Sequence, residues 1–106
     1  MNVRISAEGI RFRISTEELK KLLNGGSIIE TVALPQGSTI TLGVDVSGDE
    51  ALGQALLLMA RPNEIRLGVS QSQLEKLMVP SKRGLAGESV EGRKVIRYSL
   101  EVDLRG

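Results

Sequence analysis

Five arginines alternate with apolar residues in stretches that have the two-residue period of a strand: Arg4, Arg11, Arg13, Arg66 and Arg97. A guanidinium group binds phosphate or carboxylate through two parallel hydrogen bonds. Arginines on one sheet face could therefore form an anion site, for which Arg11, Arg13, Arg66 and Arg97 are the candidates. The simpler interpretation is an outward face on which arginine pairs with glutamate across strands.

Two acids and a base share one side of a strand in the segment Glu101-Val102-Asp103-Leu104-Arg105. This spacing resembles the E-x-E-x-K pattern of triphosphate-tunnel enzymes, whose barrel binds a divalent metal and polyphosphate. The resemblance implies that Glu101 and Asp103 hold Mg²⁺ while the strand arginines hold the anion. Here the pattern lies in the last strand instead of the first, and arginine replaces lysine. A solvated strand face is again the simpler interpretation.

A second basic group follows residue 80, where Lys82 and Arg83 lie in a glycine-containing loop and Arg93 and Lys94 lie near a later turn. Such a patch could contact nucleic acid or an acidic partner. The net charge of +1 and the presence of one Tyr, one Phe and no Trp argue against nucleic acid, because they provide little long-range attraction or base stacking. A solvated loop is the simpler interpretation.

The composition removes several kinds of chemistry. The sequence has no Cys and no His, which excludes disulfides, thiolate nucleophiles, histidine bases and metal sites built on these residues. We therefore assign no catalytic residue and expect a protein that is not an enzyme. Since no apolar run approaches the ~18 residues of a membrane span and no signal peptide is visible, we expect a cytoplasmic protein without membrane contact.

The elements that must position these residues recur within the chain. Residues 10–23 (IRFRISTEELKKLL) return as residues 65–78 (IRLGVSQSQLEKLM), an offset of 55 positions. Each copy begins with the alternation of a strand and continues with apolar residues at helical spacing. At the junction, Ser15 with Glu18 and Ser70 with Gln73 have the spacing of a capping box. The recurrence predicts an internal duplication.

Each copy is predicted to have the element order ββαββ. The first copy has strands at residues 2–6, 10–15, 27–34 and 39–46, with a helix from residue 16 to about 24. The second has a helix from residue 71 to about 78, a loop at 79–87, and strands at 54–60, 65–70, 88–91 and 95–104. Residues 51–60 alone have the composition of a helix, but the repeat register favours a strand at 54–60.

We accordingly predict an α+β fold in which internally duplicated ββαββ units give about eight mostly antiparallel strands and two helices, arranged as a sheet or a barrel. A single domain, residues 1–106, would contain the repeats 1–50 and 51–106. Sheet edges and the apolar run at residues 56–59 predict a homodimer or another protein partner.

Several segments carry a family resemblance: MNVRI at residues 1–5, IRFRIS at 10–15, LLNGGS at 22–27, GESVE at 87–91 and YSLEV at 98–102. They resemble a family of small bacterial proteins that carries only a "domain of unknown function" label and begins M-K-I-R-I, followed by I-R-L-R-L-[ST]. The resemblance covers most of the chain. Its motifs are those of strands, caps and turns, so it implies a fold type and a bacterial source but no function.

These observations favour a non-enzymatic binding or protein-interaction module that needs no cofactor. The alternative is a phosphate- or polyphosphate-handling barrel with an arginine-lined anion site and Mg²⁺ at Glu101 and Asp103. Convergence of the strand arginines in one concave surface would favour ligand binding, whereas dispersal over a convex face would argue against it.

Overall fold

A computed structural model describes residues 1–47, 56–78 and 84–103. Within these ranges the chain forms eight strands and two α-helices: β1 (Asn2–Ser6), β2 (Gly9–Ser15), α1 (Thr16–Leu23), β3 (Ile28–Ala33), β4 (Thr39–Ser47), β5 (Leu56–Arg61), β6 (Glu64–Ser70), α2 (Gln71–Lys76), β7 (Gly84–Glu91) and β8 (Lys94–Asp103). The predicted α+β class is confirmed. In the described ranges, no helix is long and apolar enough to cross a membrane.

The strands form two four-stranded sheets, sheet A with the order β1-β2-β8-β7 and sheet B with the order β3-β4-β6-β5. Each sheet joins one hairpin from the first half of the chain to one from the second half. The joining pairs, β2 with β8 and β4 with β6, are parallel. The other four pairs are antiparallel, which confirms a mostly antiparallel fold.

The predicted barrel is wrong for the part of the chain that the structure describes, because the two sheets stay separate and neither closes. The reason lies in how the apolar residues are buried. Each sheet has one face whose apolar side chains are buried, and these two faces share one core instead of surrounding a closed axis.

The core is built from side chains of both sheets and both helices. Phe12, Ile14, Tyr98, Leu100 and Val102 come from sheet A, Ile28, Val44, Leu56, Leu67 and Val69 from sheet B, and Leu19, Leu22, Leu74 and Leu77 from the helices and their ends. The strand residues among them occupy alternate positions, as the two-residue period predicts. Their opposite faces are therefore free to carry arginines and acids.

Both predicted helix starts are present. The Ser15 hydroxyl accepts a hydrogen bond from the Glu18 backbone N–H at 3.1 Å, and the Glu18 carboxylate accepts one from the Ser15 N–H at 2.9 Å, which completes a capping box. At the second helix, the Ser70 hydroxyl accepts from the Gln73 N–H at 3.3 Å. These bonds matter because helices of eight and six residues are too short to be stable alone.

Residues 56–60 form a strand, so the repeat register predicted them correctly against their helical composition. Residues 51–55 lie outside the described ranges. The predicted loop at 79–87 is wrong in its second part, since β7 begins at Gly84. The long strand β8 provides a pairing partner for every residue from Gly84 to Glu91. This pairing overrides the weak strand propensity of Gly84 and Gly87.

Tyr98 links the two sheets through its hydroxyl group. The ring is buried, and the hydroxyl lies 3.4 Å from the carbonyl oxygens of both Leu56 in β5 and Glu88 in β7. The single hydroxyl hydrogen can be donated to only one of these carbonyl oxygens at a time. The Ser89 hydroxyl lies 3.5 Å from the Tyr98 hydroxyl oxygen and donates to it.

We expect Tyr98→Phe to lower the free energy of unfolding by about 1 kcal/mol, because a buried carbonyl loses its donor while the ring remains. Urea unfolding followed by circular dichroism measures this loss. Tyr98→Leu, which also removes ring volume, should be destabilised further. Equal stability of wild type and Tyr98→Phe would show that the hydroxyl does not hold the sheets together.

Candidate functional site

Strand registry brings three arginines together on the outer face of sheet A. In the β1–β2 hairpin Arg4 is directly opposite Arg11. In the parallel pair β2–β8, Arg11 is beside Ser99 and Gly9 is beside Arg97. Directly opposed side chains start about 5 Å apart, and residues one row further along start about 8 Å apart. Three long cationic side chains from three adjacent strands therefore reach a common space.

That space is a groove of about 810 Å³, which lies in the size range of small-molecule sites. Its charged lining residues are Arg4, Arg11 and Arg97, with Glu8 and Glu88. The rest of the lining consists mainly of small residues: Ser6, Gly9, Ala86, Gly87 and Ser99. Because these residues have short side chains or none, the surface between the arginines is concave.

Gly9 allows β2 and β8 to approach closely at the groove. A Cβ atom at this position would lie only 2.0 Å from the carbonyl oxygen of Arg97, which no side chain can tolerate. The absence of a side chain at Gly9 thus positions the strand that carries Arg97 and also leaves the groove open.

Glu101 neutralises part of the positive charge at one end of this face. The Arg11 guanidinium donates to it at 2.9 Å, and the Arg13 guanidinium donates at 3.5 Å. The hydrogen bond from Arg11 is the largest influence on the Glu101 carboxyl; together with its charge and with Arg13 it outweighs partial burial and lowers the pKa of Glu101. One carboxylate therefore serves two arginines.

Arg4 and Arg97 have no such partner. Within residues 1–47, 56–78 and 84–103, no ion pair or side-chain hydrogen bond engages either guanidinium. Glu88 is opposite Arg97 in the β7–β8 register but forms no ion pair with it. Placing Arg4 directly opposite Arg11 is unfavourable, because like charges in this position repel. The groove therefore presents guanidinium groups that are available to an anion.

The predicted anion residues do not form one site. Arg11 and Arg97 line the groove, and Arg13 lies in an adjoining depression with Glu101. Arg66 is on sheet B, where its guanidinium lies 3.1 Å from Asp45 and 3.4 Å from Glu64. Arg4 was not among the candidates. The short turn at residues 7–8 could have identified it, because a two-residue turn places Arg4 opposite Arg11 in the hairpin.

The proposed Mg²⁺ ligands fit a metal poorly. Glu101 and Asp103 do lie two residues apart on β8, but each carboxylate oxygen of Glu101 already has an arginine beside it. The described ranges hold no cluster of three or more acidic residues suited to a metal ion. Glu101 is therefore better explained as a partner of arginine.

Of the second basic group, Arg93 and Lys94 do not line the groove. Arg93 and Lys94 are exposed at the β7–β8 turn, where Lys94 is opposite Glu91 in the register. Lys82 and Arg83 lie outside the described residues. The patch predicted from these four residues remains a prediction.

The model of a protein family matches residues 1–105, and its description is a family of unknown function (DUF7009). The chain belongs to this family. The match confirms the membership in an uncharacterised family that the strand, cap and turn motifs predicted. Comparison with curated proteins gives no match. For this DUF7009 chain, function must therefore be inferred from the geometry of the groove.

Glu101 should give the protein a distinct pH dependence. Its pKa is lowered in the folded state, so the ion pairs stabilise the fold above the unfolded value of 4.5 and are lost as pH falls through the folded value. Glu101→Gln should therefore be less stable than wild type near neutral pH, by no more than about 1 kcal/mol for so exposed a pair.

Urea unfolding across the acidic range measures this difference, which should vanish at low pH where Glu101 is protonated. Glu88→Gln is the matched control, because its carboxylate lies on the same face without an ion pair among the described residues. A constant difference between wild type and Glu101→Gln at all pH values would contradict the assignment.

Proposed function

We propose that this chain is a non-enzymatic binding module whose groove on sheet A takes a small anionic ligand bearing phosphate or carboxylate groups. The observation that carries the proposal is the convergence of Arg4, Arg11 and Arg97 in one concave space, with Arg4 and Arg97 lacking an acidic partner among the described residues. Arginine is the residue best suited to such anions, because its planar donors match their oxygens.

The lining supports binding better than turnover. It offers guanidinium donors and the hydroxyls of Ser6 and Ser99, which can hold an anion by hydrogen bonds without reacting with it. The sequence holds neither His nor Cys, the side chains most often used for proton transfer or nucleophilic attack near neutral pH. The groove volume also exceeds that of a bare phosphate ion, so the anionic group is expected to belong to a larger organic molecule.

We further infer that the chain arose by internal duplication. The β1–β2 and β5–β6 hairpins both have two-residue turns, at positions 55 residues apart. Arg11 binds Glu101 one row along the parallel pair β2–β8, and Arg66 binds Asp45 one row along β6–β4. The same diagonal ion pair therefore recurs at matching places in both sheets.

This correspondence provides an internal comparison for the groove. At the sheet B positions that match Arg4, Arg13 and Arg97, the chain has Met59, Gly68 and Thr41, respectively. Sheet B thus forms without an arginine at any of these three positions, although its outer face carries Arg61 and Arg66 elsewhere. The arginines of sheet A at these three positions are therefore not needed to build such a sheet, which supports a role in binding over that of a merely solvated face.

The polyphosphate alternative now rests only on its anion site. The barrel is wrong for the described ranges, and Glu101 is held by Arg11 and Arg13. Pyrophosphate and triphosphate nevertheless remain candidate anions for a groove that contains several arginines. Binding that requires Mg²⁺ would favour this alternative, whereas binding without metal favours the arginine groove by itself.

Arg4→Met and Arg97→Thr test the proposal, because each introduces the residue that sheet B has at the matching position. Isothermal titration with inorganic phosphate, pyrophosphate and citrate should show binding by wild type that weakens with added salt. Each variant should lose about tenfold or more in affinity, in line with the loss of a charge-assisted hydrogen bond.

Arg61→Met is the control, since Arg61 is an exposed strand arginine of sheet B outside the groove. It should bind as wild type does, and all three variants should keep the wild-type circular dichroism spectrum. The proposal fails if no anion binds at millimolar concentration, or if Arg4→Met and Arg97→Thr bind as tightly as wild type.

A further inference from the structure

The outer face of sheet B differs from that of sheet A in its charge and in the position of its exposed apolar residues. On sheet A these residues are Val90 and Val95, which lie together near the β7–β8 turn. One row across the four strands of sheet B contains Met59, Arg66, Gly43 and Ile29. Met59 and Ile29, on the two edge strands, are 49% and 50% exposed, and Leu57, the neighbour of Met59 on the same face of β5, is 37% exposed. Exposed apolar side chains grouped on one sheet face are typical of a surface that another molecule covers.

The charges of this face are balanced, because Arg61 and Arg66 share it with Asp45 and Glu64. Arg66 has acidic partners in both Asp45 and Glu64, and its Nε atom is buried without a hydrogen bond although it lies 3.4 Å from Glu64. A face with balanced charge can meet an identical face without repulsion. Sheet A is less suited to such a contact, because the strands of its outer face carry four arginines and only three acids, Glu88, Glu101 and Asp103.

We propose that the outer face of sheet B is the contact surface between two copies of this chain. The copies are related by a twofold axis that runs parallel to the strands, between β4 and β6. Two sheets that stack in this way keep their strands nearly aligned at a separation of about 10 Å. The occupant is thus a second copy, and the assembly is a symmetric dimer.

This axis matches large residues with small ones and apolar residues with each other. Because β5 and β3 are the two edges of sheet B, it places β5 of one copy over β3 of the other. Met59 then faces Ile29 of the second copy. In the next row, Asp45 faces Gly68 of the second copy, which has no side chain to obstruct it. The face is therefore complementary to itself under one simple rotation.

The size of the face predicts a weak dimer. Four strands at about 4.8 Å spacing and about six residues along each strand give roughly 400 Å² per copy. This is about half of the ~800 Å² per partner in a standard stable interface. We therefore expect association that depends on concentration, with a dissociation constant in the micromolar range, on the side of the molecule opposite the anion groove.

Sedimentation velocity over a range of protein concentrations tests the dimer. Wild type should shift from monomer to dimer, and Met59→Arg should weaken association by about tenfold or more, as removal of a central contact does. Sheet A accepts arginine at the matching position, Arg4, so Met59→Arg is expected to fold. Val90→Arg, on the exposed edge of sheet A, is the control and should associate as wild type does.

A cross-linking test addresses the axis itself, since the sequence has no cysteine. In the double variant Ile29→Cys with Met59→Cys, the two positions of one chain are three strand spacings apart, about 14 Å, whereas the facing positions of two stacked copies are about 10 Å apart at Cα, with both side chains pointing into the gap. A direct disulfide reaches neither distance, so a short bifunctional thiol reagent is used. It should yield a covalent dimer from the double variant and none from Met59→Cys alone. A monomer at all concentrations, or a dimer that neither responds to Met59→Arg nor forms the cross-link, would overturn the proposal. Retained anion binding by Met59→Arg separates this outcome from failure of the groove.

Discussion

The parallel pairing of β2 with β8 and of β4 with β6 is the constraint on which the rest of the structure depends. Each half of the chain contributes one hairpin to each sheet, so neither half has a complete sheet or a complete apolar face. Both sheets and the shared core exist only when the two halves combine. The same pairing sets Arg11 beside the strand of Arg97 and Glu101, so the groove depends on it as well.

The two outer faces use this common framework differently. Each has one arginine bound diagonally to an acid across the parallel pair, Arg11 to Glu101 and Arg66 to Asp45. Sheet A adds further arginines around small residues and becomes concave and basic, whereas sheet B has apolar residues around a neutral centre. Our two proposals accordingly place ligand binding and self-association on opposite sides of the molecule, where neither obstructs the other.

Much of the fold could be predicted because its signals are local. Alternation located most strands and their buried faces, and the serine caps located both helix starts. The candidate site was predicted less well. Arg11 and Arg97 do share the groove, but Arg66 is on the other sheet and Arg4 was not chosen. Alternation shows that a side chain points outward without showing which strand lies beside it.

The sequence by itself determined the elements, their order, their caps and the side of each strand that faces the core, because these depend on neighbours within a few residues. Only the tertiary structure decided the pairing of strands across the two halves, the separation into two sheets and the set of arginines that meet. Arg11 and Glu101 are 90 residues apart. Backbone hydrogen bonds between strands are the same whatever the side chains, so their partners are chosen by burial of the whole core and not by any local motif.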